Sequence, residues 1–232
     1  MPYTFAHPIA VAGVRGLPVS ALVAGAVAPD WQLYLPTPVS HSFAHTVWGL
    51  FTVDLVYGFL LFAAWQWLLA PCYFAGLGVA RVAWWRVLGA LWLGSATHLL
   101  LDMPTHVSML PRFTPDGMVS FLAADVLGQS VAKWLHLGLS GVGLLATLWW
   151  ARRLFRVGAR RWRAARRSYL YWLPLVAAVG WTVWELVGRV PSSTRPLVAV
   201  GYTFLTAPIT GFFVAGVLCA VICGTLTGGR KR

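Results

Sequence analysis

His98, Asp102 and His106 lie four residues apart in SATHLLLDMPTH (95–106), at the end of an apolar run, in a chain with only six histidines and six acidic residues. Residues i and i+4 share a helix face, so the first two present an imidazole beside a carboxylate. Pro104 then ends or kinks the helix near Met103. A neutral imidazole and a carboxylate are good ligands for zinc and similar divalent ions. The same residue types recur at His7 in MPYTFAHPIAV, at Asp30 in APDWQL, and at His41 and His45 just before a long apolar stretch. His7, Asp30, His45, His98 and Asp102 are therefore the expected ligands of one divalent ion, with zinc the leading candidate. Asp54 sits about two turns inside an apolar stretch, where a carboxylate is costly and is a functional candidate by default. It would act as a base or orient a ligating ring from behind. His41 and His106 are the candidates for proton shuttle or substrate contact, because imidazole titrates near neutral pH. The plainer readings are an interfacial imidazole, an ordinary i,i+4 hydrogen bond, or, for Asp54, a cap on a neighbouring helix. His136, alone at a helical position, reads as packing or an interhelical hydrogen bond.

The elements that must carry these residues are apolar helices. Hydrophobic residues make up 59% and charged residues 10%, and mean hydropathy is +0.71. Soluble domains usually carry about a quarter charged residues, so an integral membrane protein is expected. A span needs roughly 20 apolar residues. The windows that qualify are 46–70, 86–102, 133–153 (with a partly buried helix from 118 ahead of it), 168–188 and 197–224. The first thirty residues form two short apolar pieces broken at Gly16-Leu17-Pro18, which reads as a broken or re-entrant helical hairpin. The expected fold is all-α: a polytopic transmembrane helical bundle of about five spans plus that hairpin, built as a single integral membrane domain over 1–232. Its motif-bearing part is 1–150, a basic loop covers 151–167, and 168–232 adds two further spans. Cys72, Cys219 and Cys223 form no close pair and read as small packing residues. No basic leader or cleavage site opens the chain, so no secretory signal is expected.

Charge sets the orientation. The net charge is +12, and eight arginines fall in ARRLFRVGARRWRAARR (151–167) with more basic residues in GGRKR at 228–232. Cytoplasmic loops collect Lys and Arg, so both segments, and the loop at 71–85 with Arg81 and then Arg86 just after it, are expected inside. The C-terminus is then cytoplasmic, and 30–45 and 103–132 lie outside. A juxtamembrane arginine cluster suits anionic lipids of the bilayer, and nucleic acid is not an expected partner. Under this topology His7, Asp30, His41, His45, His98, Asp102 and His106 converge on one membrane face.

Four motifs, MPYTFAHPIAV, LPVSALVAGAVAPDWQLYL, AHTVWGLFTVDLVYG and GSATHLLLDMPTH, occur in that order over residues 1–150 and resemble the bacterial membrane-protein family known as domain of unknown function 4184. That family is similar to a wider group of membrane-bound metal-dependent hydrolases. The wider group shares an early His, a Pro-Asp, a Thr-His-Ser and a His-x-x-x-Asp. By motif these fall on His7, Pro29-Asp30, His45-Thr46, and His98 with Asp102. Where the group has Pro-Asp-x-Asp, Asp30 is followed by Trp31 and Gln32, so one acidic ligand has no counterpart. The resemblance implies a bacterial inner-membrane location and hydrolysis of a phosphoester or lipid-like substrate. In that chemistry the ion lowers the pKa of a water in an open position. Two rivals use the same residues: a non-catalytic protein with a structural metal site or interhelical polar network, and a transporter relay through Asp54, His98 and Asp102. Transporters commonly show repeated halves, and no internal repeat is visible here.

Overall fold

The protein is described by a computed structural model that covers residues 3–35, 37–70, 82–110, 114–165, 172–189 and 196–228. Most of the expected inner loop (71–81, with Cys72 and Arg81), the end of the basic stretch (166–171) and residues 229–232 lie outside the described residues. The fold is all-α. Among the described residues, the one exception is a two-residue antiparallel ladder, Asp125–Val126 against Gln129–Ser130. The chain forms two compact units.

The first unit comprises Met1–Trp31, Val39–Phe62 and Arg81–Arg156. It opens with the 3-10 helix Thr4–Val11, which has Pro8 inside it. A proline lacks the N–H that an α-helical turn needs. The break falls where Gly and Pro punctuate the sequence. Gly16 adopts φ +83°, a conformation that costs little without a Cβ. The helix Val19–Val27 follows, then the 3-10 turn Ala28–Leu33 that carries Asp30.

The helix Trp84–Asp102 packs on Val19–Val27 through small residues. Gly25 lies directly against the Leu91 backbone and Gly94 against the Leu22 backbone. Small residues let two helix backbones approach this closely. Ser95 adds a hydroxyl bond to the Gly25 carbonyl, 3.0 Å long. Leu22, Ala21, Ala24, Val87, Ala90 and Leu91 fill the buried core around this contact, with Val11 and Phe62.

The expected 46–70 span is not one continuous α-helix. Ser40 caps the short helix His41–Ala44, and Thr46 caps Val47–Phe51 by accepting from the Gly49 N–H at 3.0 Å. At Thr52 the backbone leaves the helical region (φ −126°, ψ −91°), and the helix resumes over Val53–Ala63. Residues Ala64–Leu69 then form a π-helical stretch. Ser and Thr hydroxyls compete with the backbone for its hydrogen bonds, which is why they start and interrupt helices.

Asp116–Ala123 forms a helix, matching the one expected ahead of the next span. Val131–Ala165 is a single 35-residue helix, so residues 151–165, read from the sequence as a loop, are helical. Arg and Ala are good helix formers, and charge bias reports which side a segment lies on rather than its backbone state. The part Val131–Leu154 is 24 residues long and apolar enough to cross a membrane. Val142, Leu145, Leu148 and Trp149 are exposed along one side of it. Val53–Leu69, Leu173–Gly188 and Thr206–Cys219 are apolar helices of shorter length.

The second unit comprises Gln32–Pro38, Ala63–Ala80 and Val157–Arg232. Its helices Trp172–Arg189 and Pro196–Gly228 pack together where Gly211 meets the Ala177 carbonyl and the Trp181 side chain. Thr210 donates its hydroxyl to the Tyr34 carbonyl at 2.9 Å. Val176, Val179, Trp184 and Val187 are exposed.

Candidate metal centre

Three imidazoles are oriented by backbone carbonyls. His98 holds its Nδ1 2.8 Å from the Ala26 oxygen, His45 2.9 Å from the His41 oxygen, and His7 3.2 Å from the Thr4 oxygen. A carbonyl can only accept, so each Nδ1 carries the proton and each Nε2 presents a bare lone pair. These three Nε2 atoms face one another and two carboxylates. The His45 and His98 Nε2 atoms are 3.3 Å apart. His45 Nε2 is 3.5 Å from Asp30 Oδ1 and 3.4 Å from Asp102 Oδ2; His98 Nε2 is 3.7 and 3.6 Å from the same two oxygens. His7 Nε2 meets the other oxygen of Asp102 at 3.3 Å. With the rings neutral, these approaches set acceptor against acceptor, which a cation between them, or protons on the rings, would relieve.

The spacing suits such a cation. His45 Nε2, His98 Nε2, Asp30 Oδ1 and Asp102 Oδ2 define five edges of a tetrahedron, each between 3.3 and 3.7 Å. Neighbouring donors in a tetrahedral zinc shell with bonds near 2.1 Å stand about 3.4 Å apart, close to the spacing of the two imidazole nitrogens from each other and from each carboxylate oxygen. Asp102 Oδ2 is buried without a hydrogen-bond partner, as a carboxylate oxygen aimed at an ion should be. Three overlapping groups, His7–Asp30–His98, Asp30–His41–His45 and His45–His98–Asp102, could each hold a metal ion.

The elements explain the convergence. His98 and Asp102 lie one turn apart on Trp84–Asp102, and the glycine clamp fixes that helix against the segment that supplies the Ala26 carbonyl and Asp30. Ser40 and Thr46 cap the turns on either side of His41 and His45. The side chains of His7, Asp30, His45, His98 and Asp102 are at most 1% exposed, whereas His41 is 30% exposed. The site therefore reaches solvent at His41, whose ring stacks on His45 at 4.1 Å and whose Nε2 is 3.2 Å from Asp30 Oδ1. His7 stacks on His98 at 3.7 Å.

The structure brings all five expected ligands together and adds His41 to them. His106 stands apart from these groups, bonded through Nδ1 to the Thr105 hydroxyl at 2.8 Å and edge-on to His136. Asp54 is fully buried with neither carboxylate oxygen hydrogen-bonded among the described residues, and it feels the charges of His98 and Asp30.

One participant was not visible in the sequence. Thr4 donates its hydroxyl to Asp30 Oδ2 at 2.5 Å, leaving Oδ1 to face the imidazoles. Burial alone would raise the Asp30 carboxyl, but the His98 ring and the bonds from His41 and Thr4 hold it down to about 2, so it is ionised. Outer partners of metal ligands typically contribute about 10–100-fold in affinity. Thr4→Val is accordingly expected to weaken zinc binding by about that factor in a competition titration with a chromogenic chelator, and Thr4→Ser is expected to restore it. Equal affinities for all three proteins would remove Thr4 from the site.

A family model described as "Domain of unknown function (DUF4184)" matches residues 1–225, reaching well beyond the four motifs. Searches of curated proteins and of solved structures returned no match.

Proposed function

The chain belongs to the DUF4184 family, and we propose that it is a membrane-bound, divalent-metal-dependent hydrolase of phosphoesters. The observation that carries this reading is the convergence of three bare imidazole nitrogens on two carboxylates, at edges of 3.3 to 3.7 Å. Structural zinc sites are rich in cysteine, whereas catalytic ones are built from His and carboxylate donors and keep a position for water. When bound, a divalent ion supplies Lewis acidity that polarises a phosphoryl oxygen and lowers the pKa of a water toward neutrality. His45, His98, Asp30 and Asp102 hold it. His7, with Nε2 3.3 Å from the second oxygen of Asp102, is a fifth ligand-type side chain beside them. His41, at the exposed edge, bonds Asp30 Oδ1 through Nε2 and would exchange a proton with the leaving group through its other ring nitrogen. Asp54 is a further buried carboxylate, without a hydrogen-bond partner among the described residues, and is the candidate proton acceptor.

The membrane reading rests on Val131–Leu154 and on the apolar side chains exposed along it. Contiguous apolar surface of this extent marks a membrane or partner face. The three shorter apolar helices and Trp84–Asp102 bring the number of spans to about five. Arg152, Arg153 and the basic residues after them support putting that end of the helix at the cytoplasmic side of a bacterial inner membrane, against anionic lipids, with the C-terminus inside. The metal centre then lies at the outer face, and a lipid-like phosphoester is the favoured substrate. A second reading, a structural metal site without catalysis, is favoured by the presence of four donors, enough to complete a shell that leaves no position for water.

The test uses chelator-stripped protein in lipid vesicles, resupplied with zinc or manganese, and assayed on nitrophenyl phosphate mono- and diesters and on phospholipids. Turnover is expected only with the ion. His41→Ala is expected to keep the ion and to lose about 10²-fold or more in kcat, the usual contribution of a proton-transferring side chain. Stoichiometric ion binding with no turnover on any of these esters would favour the structural reading.

A further inference from the structure

Between the Asp116–Ala123 helix and the apolar Val131–Leu154 helix stands a hairpin whose tip is built against ordinary preference. Leu127 occupies the left-handed region (φ +55°), followed by Gly128 at φ +77°. A Cβ in that region crowds the neighbouring carbonyl, so a leucine there is strained. Packing within the chain does not offset the strain, because Leu127 is 89% exposed. The rest of the hairpin is well bonded: the Gly128 N–H reaches Asp125 Oδ1 at 3.0 Å, and the Trp134 indole donates to the Val126 carbonyl at 2.7 Å. The tip is held in place and presents an apolar side chain outward.

Its surroundings continue that surface. Met118 and Phe121, three residues apart on one helix face, are exposed, as is Val126. Val126, Leu127, Trp134, Leu135, Leu139 and Val142 line one apolar groove that runs from the hairpin onto the long helix. At about 1.5 Å per residue, a 24-residue helix is slightly longer than the roughly 30 Å hydrocarbon core. The hairpin at its first residue therefore lies where the core meets the head groups, the level at which Trp side chains anchor.

We propose that the Asp125–Ser130 hairpin is a lipid-inserted wedge: Leu127, flanked by Val126, Met118 and Phe121, enters the bilayer, and the groove beneath it seats an acyl chain. The occupant is lipid because the groove is continuous with the side of the helix that faces the bilayer. The inference rests on reading Val131–Leu154 as a span, and the experiment separates the two. Spin labels are placed singly at Leu127→Cys, Gln129→Cys and Val142→Cys in the full chain, with Cys72, Cys219 and Cys223 replaced by Ser. The protein is reconstituted in phosphatidylethanolamine–phosphatidylglycerol vesicles, and collision with oxygen is compared with collision with a water-soluble nickel chelate. The expected result is a strong preference for oxygen at Val142, a clear preference for oxygen at Leu127, and a preference for nickel at Gln129. A Leu127 label as open to nickel as Gln129, with Val142 still in lipid, overturns the wedge and leaves the span intact. A nickel-accessible Val142 label overturns the span and the wedge with it. A Leu127 label immobilised and closed to both reagents means that protein, such as a second copy of the chain, covers the tip, and this also overturns the lipid assignment.

Discussion

Replacement of His98 by Ala is expected to leave the purified protein without its ion. Wild type should carry about one equivalent of divalent metal in elemental analysis after detergent purification, and His98→Ala should carry none above background. His98 is the best-held donor in the cluster: it is fully buried, tied to the Ala26 carbonyl at 2.8 Å, and its Nε2 contacts a second imidazole and two carboxylates. Loss of an outer partner alone typically costs about 10–100-fold in affinity, so loss of a ligating nitrogen should exceed that. Asp102→Asn tests the charge separately from the shape. The amide is nearly isosteric, yet it leaves Asp30 as the one carboxylate in the cluster, and metal content should again fall to background. Both variants should retain wild-type helical circular dichroism, because the clamp that positions the site lies one or more turns away. A folded His98→Ala protein with a full equivalent of metal would mean that the ion, if bound, sits elsewhere.

The second large effect is expected at glycines that hold no ligand and lie a turn from the site. A methyl added at Gly94 would collide with the Leu22 carbonyl, and one added at Gly25 with the Leu91 carbonyl. Both obstacles are backbone, so neither can rotate away and the helices must separate. Overpacking of this kind costs about 1–3 kcal/mol. Separation also moves His98 away from the Ala26 carbonyl, so Gly94→Ala should lower thermal stability and metal affinity together. Gly89→Ala is the control, because a Cβ there meets nothing within 4 Å. Within a helix, Ala for Gly is worth about 0.5–1 kcal/mol in the favourable direction. Thermal unfolding of the three proteins, with and without zinc, should therefore place Gly89→Ala at or above wild type and Gly94→Ala well below it. Similar behaviour of the two variants would show that the clamp does not set the site.

The parts of this arrangement that were legible in the sequence are those with a strong periodic or compositional signal. His98 and Asp102 declared themselves by an i,i+4 spacing on an unambiguous apolar helix, and Gly16-Leu17-Pro18 marked a real break. His41 was read as a shuttle beside the site, and the structure places it within the donor cluster, because the short capped helix His41–Ala44 turns both rings to one side. Thr4 gave no signal, since its role depends on a 3-10 turn and on a partner 26 residues away. The interruption at Thr52 was equally hidden: apolar composition was continuous across it, and hydropathy carries no information about where a hydroxyl diverts the backbone. His106 shared the four-residue spacing of its neighbours but lies past Pro104. Once the helix ends, spacing no longer predicts direction, and the ring turns toward His136.

The dependence of His98, His45 and His7 on main-chain oxygens has a consequence for how this centre tolerates sequence change. Any residue at position 26 offers the same carbonyl, so substitution at Ala26 leaves the anchor of His98 in place as long as the new side chain fits. A one-residue insertion or deletion between Val19 and Asp30 behaves differently. It rotates every later position of that segment by about 100°, carries the Ala26 oxygen off the His98 ring and turns Asp30 out of the cluster, although every donor is still present in the chain. The length of the Val19–Asp30 segment is thus constrained more tightly than the identity of most of its residues.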